Sequence, residues 1–317
     1  MFSFINLLQS LANRMKKNKG LWFTMLTLLS TVGIILSMFL INYMSSNVAH
    51  KIYMKIHRVN ATHLENILDQ KYDTLLSISD ILAIQPEIAA NIKSKSDKSI
   101  NNYLESVQTT INKTLGSDPV LVHYYAKDFT ATKSENFKYA NIVMASQTSI
   151  SGIVVNKIGT RIIVMTPVMD NNETIGVIEL SQDISSVKND FAKFGKDFVF
   201  LIDKSQLPFI DLSFKQGMLE DINEQLKIFF HQYDAGFYTY LTHIDFVQLN
   251  QDKFHVDKSY YIDTTEALDI DGKNIGQFVI GERGAQEDSF VTITQDLIKS
   301  VTTVALGLVI SLILFMF

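Results

Sequence analysis

Four residues between positions 120 and 180 carry side chains whose chemistry and spacing suit the binding of a small charged molecule. Arg161 opens a β-branched run that leads to Thr166 and Pro167. If it points into a cavity, its forked donors match a carboxylate or a phosphate. His123 and Tyr125 are two apart on a predicted strand and so share one of its faces. Glu179, on a strand across the same sheet, can receive an ammonium group. The ligand-binding set expected from the sequence is therefore Arg161, Tyr125, His123 and Glu179. The plainer alternative is that Arg161 and Glu179 pair with each other on the sheet surface.

Two further pairs, His243 with Asp245 and His255 with Asp257, would each set an imidazole beside a carboxylate if those segments are extended. Zinc takes such ligands, but the spacing is not specific, and exposed surface residues are the expected reading. No metal site is expected. There is no Gly-x-Ser-x-Gly elbow and no His-Glu-x-x-His helix. No glycine-rich loop followed by Lys-Ser or Lys-Thr occurs either. Neither an enzyme nor a cofactor is expected, and the many Phe and Tyr residues are assigned to cores. The net charge of -5 comes without a long basic stripe, which gives nucleic-acid binding no support. With no cysteine, disulfides, iron-sulfur clusters and thiol catalysis are excluded.

The elements that position these residues lie between two apolar stretches. Trp22 to Tyr43 is apolar apart from small hydroxylated residues and Asn42, long enough to cross roughly 30 Å of hydrocarbon. Arg14, Lys16, Lys17 and Lys19 precede it, so the positive-inside bias puts the N-terminus in the cytoplasm and the following domain outside. A secretory signal peptide is the competing reading, but Asn47-Val48-Ala49 makes a poor cleavage site. The second stretch, Val301 to Phe317, runs to the last residue with no Lys or Arg to anchor it. A longer native product with a cytoplasmic output domain is the expectation, and a chain ending in a bare hydrophobic helix the alternative.

From Asn47 to about Ile84 the apolar residues fall three or four apart, which predicts one long amphipathic helix. Pro86 opens a short helix, and Ser96 or Asp97 caps a third that Gly116 ends. After Pro119, strands are predicted over Val120 to Tyr125, Gly152 to Val155, Arg161 to Val168 and Ile175 to Leu180, the last two joined by a hairpin turn at Asp170-Asn171-Asn172. A second round predicts a strand over Phe198 to Asp203 and a helix carrying Leu219, Ile222, Leu226 and Phe230. Strands over Phe237 to Leu241, Ser259 to Thr264 and Ile275 to Ile280 follow. Each round closes with an acidic turn, Ile-Gly, and a strand: Ile175-Gly176 in the first, Ile275-Gly276 in the second. Two copies of that closure suggest two tandem modules of one fold.

With its long helix, tandem sheets and return helix, the chain resembles the double Cache, or PAS-like, sensor domains of bacterial methyl-accepting chemotaxis proteins and two-component sensor kinases. Ser151 to Arg161, Thr166-Pro167-Val168 and Gly176 to Leu180 carry the most specific part of the likeness. The resemblance covers roughly Asn47 to Phe317. The expected fold class is α+β, with a long N-terminal helical stalk and two tandem PAS-like antiparallel-sheet modules flanked by two transmembrane helices. The expected divisions are a cytoplasmic segment (1–21), a first span (22–43), the stalk (44–116), a membrane-distal module (117–187), a membrane-proximal module (188–297) and a second span (298–317).

The resemblance implies a homodimer, a small-molecule ligand in the distal module, and a small displacement of the stalk as signal. It places the chain in a bacterial inner membrane with its main domain in the periplasm. Ligand class does not carry over, because Ala126 to Lys133 lacks the Arg-Trp pair of many relatives, and the signature of amino-acid-binding relatives is missing. The function so implied is the sensing half of a chemotaxis receptor. The alternatives are the input of a histidine kinase or diguanylate cyclase, and a membrane-anchored scaffold that binds another protein.

Overall fold

Ile56, Asn60, Leu64, Ile67, Leu75, Ser79 and Leu82 recur at spacings of three, four or eight, and all are buried along one side of helix α1 (Lys19–Ala83). In a computed structural model the described residues are 19–93, 97–116, 119–127, 136–211, 219–229 and 235–284, with 296–304, 306, 307 and 310. Two units are distinguished, Ile56–Ala285 and a second made of Met1–Lys55 with Gln286–Phe317. The site lies in the first.

Pro86 has no N–H to give a helix interior, so α1 ends at Ala83 and α2 (Pro86–Lys93) begins with the proline at its first position. α3 (Asp97–Leu115) buries Ile100 and Leu104 and stops before Gly116, whose φ of 83° reverses the chain. Two of its side chains hold the outer edge of the first strand, β1 (Val120–Ala126). Asn112 Oδ1 accepts from the Val120 N–H at 2.7 Å and its Nδ2 donates to the Val120 carbonyl at 3.2 Å, while Gln108 Oε1 accepts from the Val122 N–H at 2.9 Å. An edge that would otherwise present unpaired backbone groups is thereby closed.

The remaining elements of the first sheet are α4 (Phe137–Ser146), β2 (Ile150–Asn156), β3 (Gly159–Asp170) and β4 (Glu173–Asp183), with all-antiparallel order β1-β4-β3-β2. Asn171 and Asn172, at φ 50° and 66°, make the two-residue turn between β3 and β4. Helix α5 (Ser186–Ala192) leads to the second sheet: β5 (Asp197–Asp203), β6 (Leu219–Asp221), β7 (Leu226–Phe229), β8 (Phe254–Val256), β9 (Tyr260–Leu268) and β10 (Asn274–Arg283), ordered β6-β7-β5-β10-β9-β8. Helices α6 (Ala235–Leu241) and α7 (Phe246–Asp252) lie between β7 and β8 in the chain. Remove β6 and β7, and β5-β10-β9-β8 repeats the order β1-β4-β3-β2.

The repeated Ile-Gly has a steric cause. A Cβ on Gly176 would stand 2.8 Å from the Tyr125 carbonyl oxygen, and one on Gly276 would stand 2.0 Å from that of Leu201. Both glycines face the first strand of their sheet, Gly176 against Ala126 and Gly276 against Ile202. The ladders shift register beside them, between Val168 and Met169 and between Asn274 and Gly276.

One core joins α1, α2 and α3 to the inner faces of both sheets, through Leu75, Ile88, Ile162, Val164, Ile178, Phe198 and Phe278 among others. A second packs α6 and α7 on the far face of the second sheet, and a third packs α4 on the far face of the first.

Several expectations from the sequence need correction. The helix expected over Leu219 to Phe230 is the hairpin β6–β7, although Phe230 lies outside the described residues. Its three-and-four spacing is overridden by Asn223, whose Oδ1 accepts from the Gln225 and Leu226 N–H groups and turns the chain. The strand expected over Phe237 to Leu241 is helix α6, where Phe237 and Leu241, four apart, are both fully buried. His243 and Asp245 are not on an extended segment: Asp245 caps α7 through the Val247 and Gln248 N–H groups, and the His243 ring lies 2.7 Å from the Thr239 carbonyl. His255 Nε2 and Asp257 Oδ2 are 3.9 Å apart, with Asp257 also holding the Ser259 and Tyr260 N–H groups of a turn. Helix α4 was not expected at all.

Trp22 to Tyr43 is helical within α1, and its described apolar side chains, Val32, Ile35, Leu36, Phe39 and Tyr43, are exposed. Among the described residues no single helix is long and apolar enough to cross a membrane. Most of the second expected span, and residues 1–18, lie outside the described residues.

Candidate ligand-binding site

The far face of the first sheet is apolar except for one polar stripe. Register sets its members: Glu179 lies opposite His123 on β1 and Met165 on β3, Ser181 opposite Ile163, and Asp183 opposite Arg161. Side chains alternate along each strand, so these residues share one face with Tyr125, Val154 and Val177, under α4.

Glu179 is 1% exposed. Tyr125 Oη donates to its Oε2 at 2.7 Å, and Asn136 Nδ2 donates to Oε1 at 3.0 Å and Oε2 at 3.1 Å. Asn136 is the residue just before α4, so the helix delivers it to the sheet. Among the described residues no Lys, Arg or His reaches ion-pair distance of Glu179, and a carboxylate held by neutral donors in an apolar setting retains strong attraction for a cation.

Arg161 lies further along the stripe. Its register partner Asp183 is four residues beyond Glu179, about 13 Å along the strand. The guanidinium bonds the Ser181 carbonyl at 2.8 Å and the Ser181 Oγ at 3.3 Å, while its buried Nε has no acceptor. Burial lowers its affinity for its proton, opposed by Asp183 and Glu179 nearby.

Of the four residues expected from sequence, Tyr125 and Glu179 are in direct contact. Arg161 shares their face without touching them, and His123 is beside Glu179 in register with its side chain exposed. The surface pairing of Arg161 with Glu179 is not what the structure holds: both are buried, and Arg161 bonds Ser181 instead. Asn136 and Ser181 were missed. Ser181 was within reach of the alternation that selected Glu179, two residues before it, whereas nothing in the sequence around Asn136 ties it to that strand.

A separate groove of about 630 Å³ runs beside α1, over Ile153, Leu268 and Phe278. Its rim mixes Arg58 with Glu65, Asp69 and Glu266, so its charges do not converge on one ligand group.

The stripe has the makings of a binding site: a buried acceptor at one end, a forked donor with a free N–H at the other, and apolar walls from Ile163, Met165, Val177 and Val143. Comparison with known proteins accords with a sensory role. Residues 57–283 match the family model described as the double sensory domain of two-component sensor kinase. No curated protein sequence matches. Among solved structures, the sensor domain of the Vibrio cholerae histidine kinase DctB is 10% identical, with a TM-score of 0.41, covering 75% of this chain and 99% of that one. The ligand-binding domain of the Campylobacter jejuni chemoreceptor Tlp3, in complex with L-valine, is 11% identical with a TM-score of 0.43, over 76% and 95%. A domain of a Vibrio parahaemolyticus sensory box/GGDEF family protein is 11% identical with a TM-score of 0.43, over 75% and 98%. The family model spans well over half of the chain, which therefore belongs to the double Cache family of sensory domains.

Proposed function

We propose that this chain is the ligand-sensing and transmembrane signalling part of a bacterial chemotaxis receptor, and that its first module binds a small molecule bearing a cationic group. The observation that carries the ligand class is the burial of Glu179 with, among the described residues, the neutral donors Tyr125 and Asn136 on it. A ligand ammonium would meet that carboxylate, and an anionic group on the same ligand would meet the free edge of Arg161. The chain's own part in this is binding, without catalysis.

In this reading Trp22 to Tyr43 and Val301 to Phe317 cross the inner membrane, the first with the N-terminus on the cytoplasmic side, and the two modules stand in the periplasm. The exposed Val32, Ile35, Leu36 and Phe39 along α1 support it, because such a stripe needs lipid or a partner. Two copies associate along their stalks. Ligand binds one arrangement of the stalk better than another, and a coupling of about 1 to 3 kcal/mol suffices to displace one span against the other. A second reading, a histidine kinase as output, is favoured by the family's own description as the sensory domain of a two-component kinase.

The test is a thermal-shift screen of amino acids, amines and carboxylates on the chain in detergent micelles. A cationic or zwitterionic ligand should raise the unfolding temperature, and Glu179→Gln and Arg161→Ala should each remove most of that rise. If the ligands that stabilise are plain anions unaffected by Glu179→Gln, the assignment is wrong.

A further inference from the structure

The inner face of the second sheet is mostly apolar, and a charged cluster interrupts it where it meets α1. Asp263 on β9 is 1% exposed there. Its Oδ2 accepts from Asn60 Nδ2 of α1 at 2.7 Å and from Tyr261 Oη at 3.1 Å, and its Oδ1 is buried with no partner. Asn60 Oδ1 accepts in turn from Lys196 Nζ at 2.6 Å, and the same ammonium lies 3.6 Å from Glu282 Oε2 on β10. Among the described residues, the charged and titratable groups acting on Asp263 are Lys196 after α5, Tyr261 on β9 and Glu282 on β10; along the facing stretch of α1, His57 lies near Lys253 and Arg58, and His63 near Lys196 and Asp190.

We propose that Asp263 is a proton-binding site whose protonation sets how firmly the second sheet holds α1 at Asn60, making the receptor responsive to external pH independently of the first module.

With the proton bound, the cluster is balanced, Lys196 against Glu282, and Asn60 keeps both of its side-chain bonds. With the proton gone, Asp263 and Glu282 both bear on Lys196 in a site shielded from water, and Asp263 Oδ1 demands a donor. Lys196 is the cation at hand. Drawn toward Asp263, its ammonium loosens from Asn60 Oδ1, and α1 then loses one of its two side-chain bonds at that residue. Burial pushes the Asp263 carboxyl up to about 7, against the pull of the Asn60 and Tyr261 bonds and of Lys196, so the exchange falls near neutral pH. Neither histidine can substitute as the sensor in that range: burial and the cations Lys253 and Lys196 lower the affinity of His57 and His63 for protons.

Hydrogen–deuterium exchange of the whole chain in detergent micelles tests this, corrected for intrinsic rates and followed from about pH 5 to about pH 8. Protection of the α1 amides around Asn60 should fall by up to about tenfold per pH unit as pH rises toward the midpoint, and level off above it. Asp263→Asn, permanently neutral, should abolish the step. Glu282→Gln, which removes the neighbouring negative charge, should move the midpoint to lower pH. The proposal is overturned if the native chain shows no step, if the step survives Asp263→Asn, or if its midpoint ignores Glu282→Gln. The last variant decides the matter should Asp263→Asn fail to fold.

Discussion

Asp271, at the tip of the β9–β10 hairpin, accepts from Lys138 Nζ at 2.6 Å and from Tyr139 Oη at 2.9 Å, both on the helix that covers the far face of the first sheet. Beside it the Ile270 N–H donates to the Ile153 carbonyl of β2 at 2.9 Å, and a Cβ on Gly152 would overlap Ile270. The second module thus touches α4, whose N-terminal neighbour Asn136 holds Glu179, so a change at the carboxylate has a short path to β9 and β10.

Asp271→Asn tests that path. The pairing is open to water, where ion pairs contribute little to stability, so the unfolding temperature should hardly change. Amide exchange across α4 should nevertheless rise, because two of its side chains lose their charged acceptor. Unchanged exchange in α4 would remove Asp271 from any relay.

Tyr125→Phe deletes a neutral donor to Glu179 and leaves a buried carboxylate oxygen short of a donor. A loss of about 1 to 3 kcal/mol is expected in urea unfolding. Asn136→Ala should behave alike. A native-like midpoint for both would mean that water already serves the carboxylate.

Gly276→Ala should be among the most damaging single changes. Its φ of 153° disfavours an L side chain, and the new methyl would collide with the Leu201 carbonyl of the neighbouring central strand. The expected loss is at least about 3 kcal/mol. Gly272→Ala, at φ 76° but in open space, carries only the backbone strain and should lose about 1 kcal/mol. Equal effects at the two positions, read by thermal unfolding, would refute the steric account.

Asn112→Ala opens the outer edge of β1 by unpairing both the N–H and the carbonyl of Val120. A cost of about 1 to 2 kcal/mol is expected, along with faster exchange of the β1 amides.

Stability should depend on pH through groups of opposite sign. Asp263 has its native affinity for protons raised, from the ordinary 3.8 to about 7, so its contribution is fully present below about pH 3.8 and is lost as pH rises to about 7. His57 and His63 are lowered from 6.5, so theirs is present above about pH 6.5 and is lost as pH falls through their native values. Between those limits the two effects oppose. Asp263→Asn should therefore leave the histidines unopposed, and stability should fall more steeply below about pH 6.5 than in the native chain. Parallel pH curves in chemical denaturation would contradict this.

The sequence by itself determined the long helix, the break at Pro86, the stop at Gly116, and the strands with strong alternation or long β-branched runs. In each, a local cause suffices: apolar periodicity, a missing N–H, or a glycine free to take positive φ. It also determined that His123, Tyr125 and Glu179 bear on one sheet, because alternation and the Ile-Gly closure are local. Only the tertiary structure decided the short elements. Leu219, Ile222 and Leu226 have helical spacing, yet Asn223 caps a hairpin there, and Phe237 and Leu241 read as a strand until the far face of the second sheet is present to bury both. Register likewise decided that Arg161, opposite Asp183, stops at Ser181, one same-face position from Glu179, and chain path alone brought Asn136 to that carboxylate. Asp263 meets Asn60 across 203 positions of sequence. Burial and pairing over such separations depend on how whole elements dock, and no local pattern encodes them.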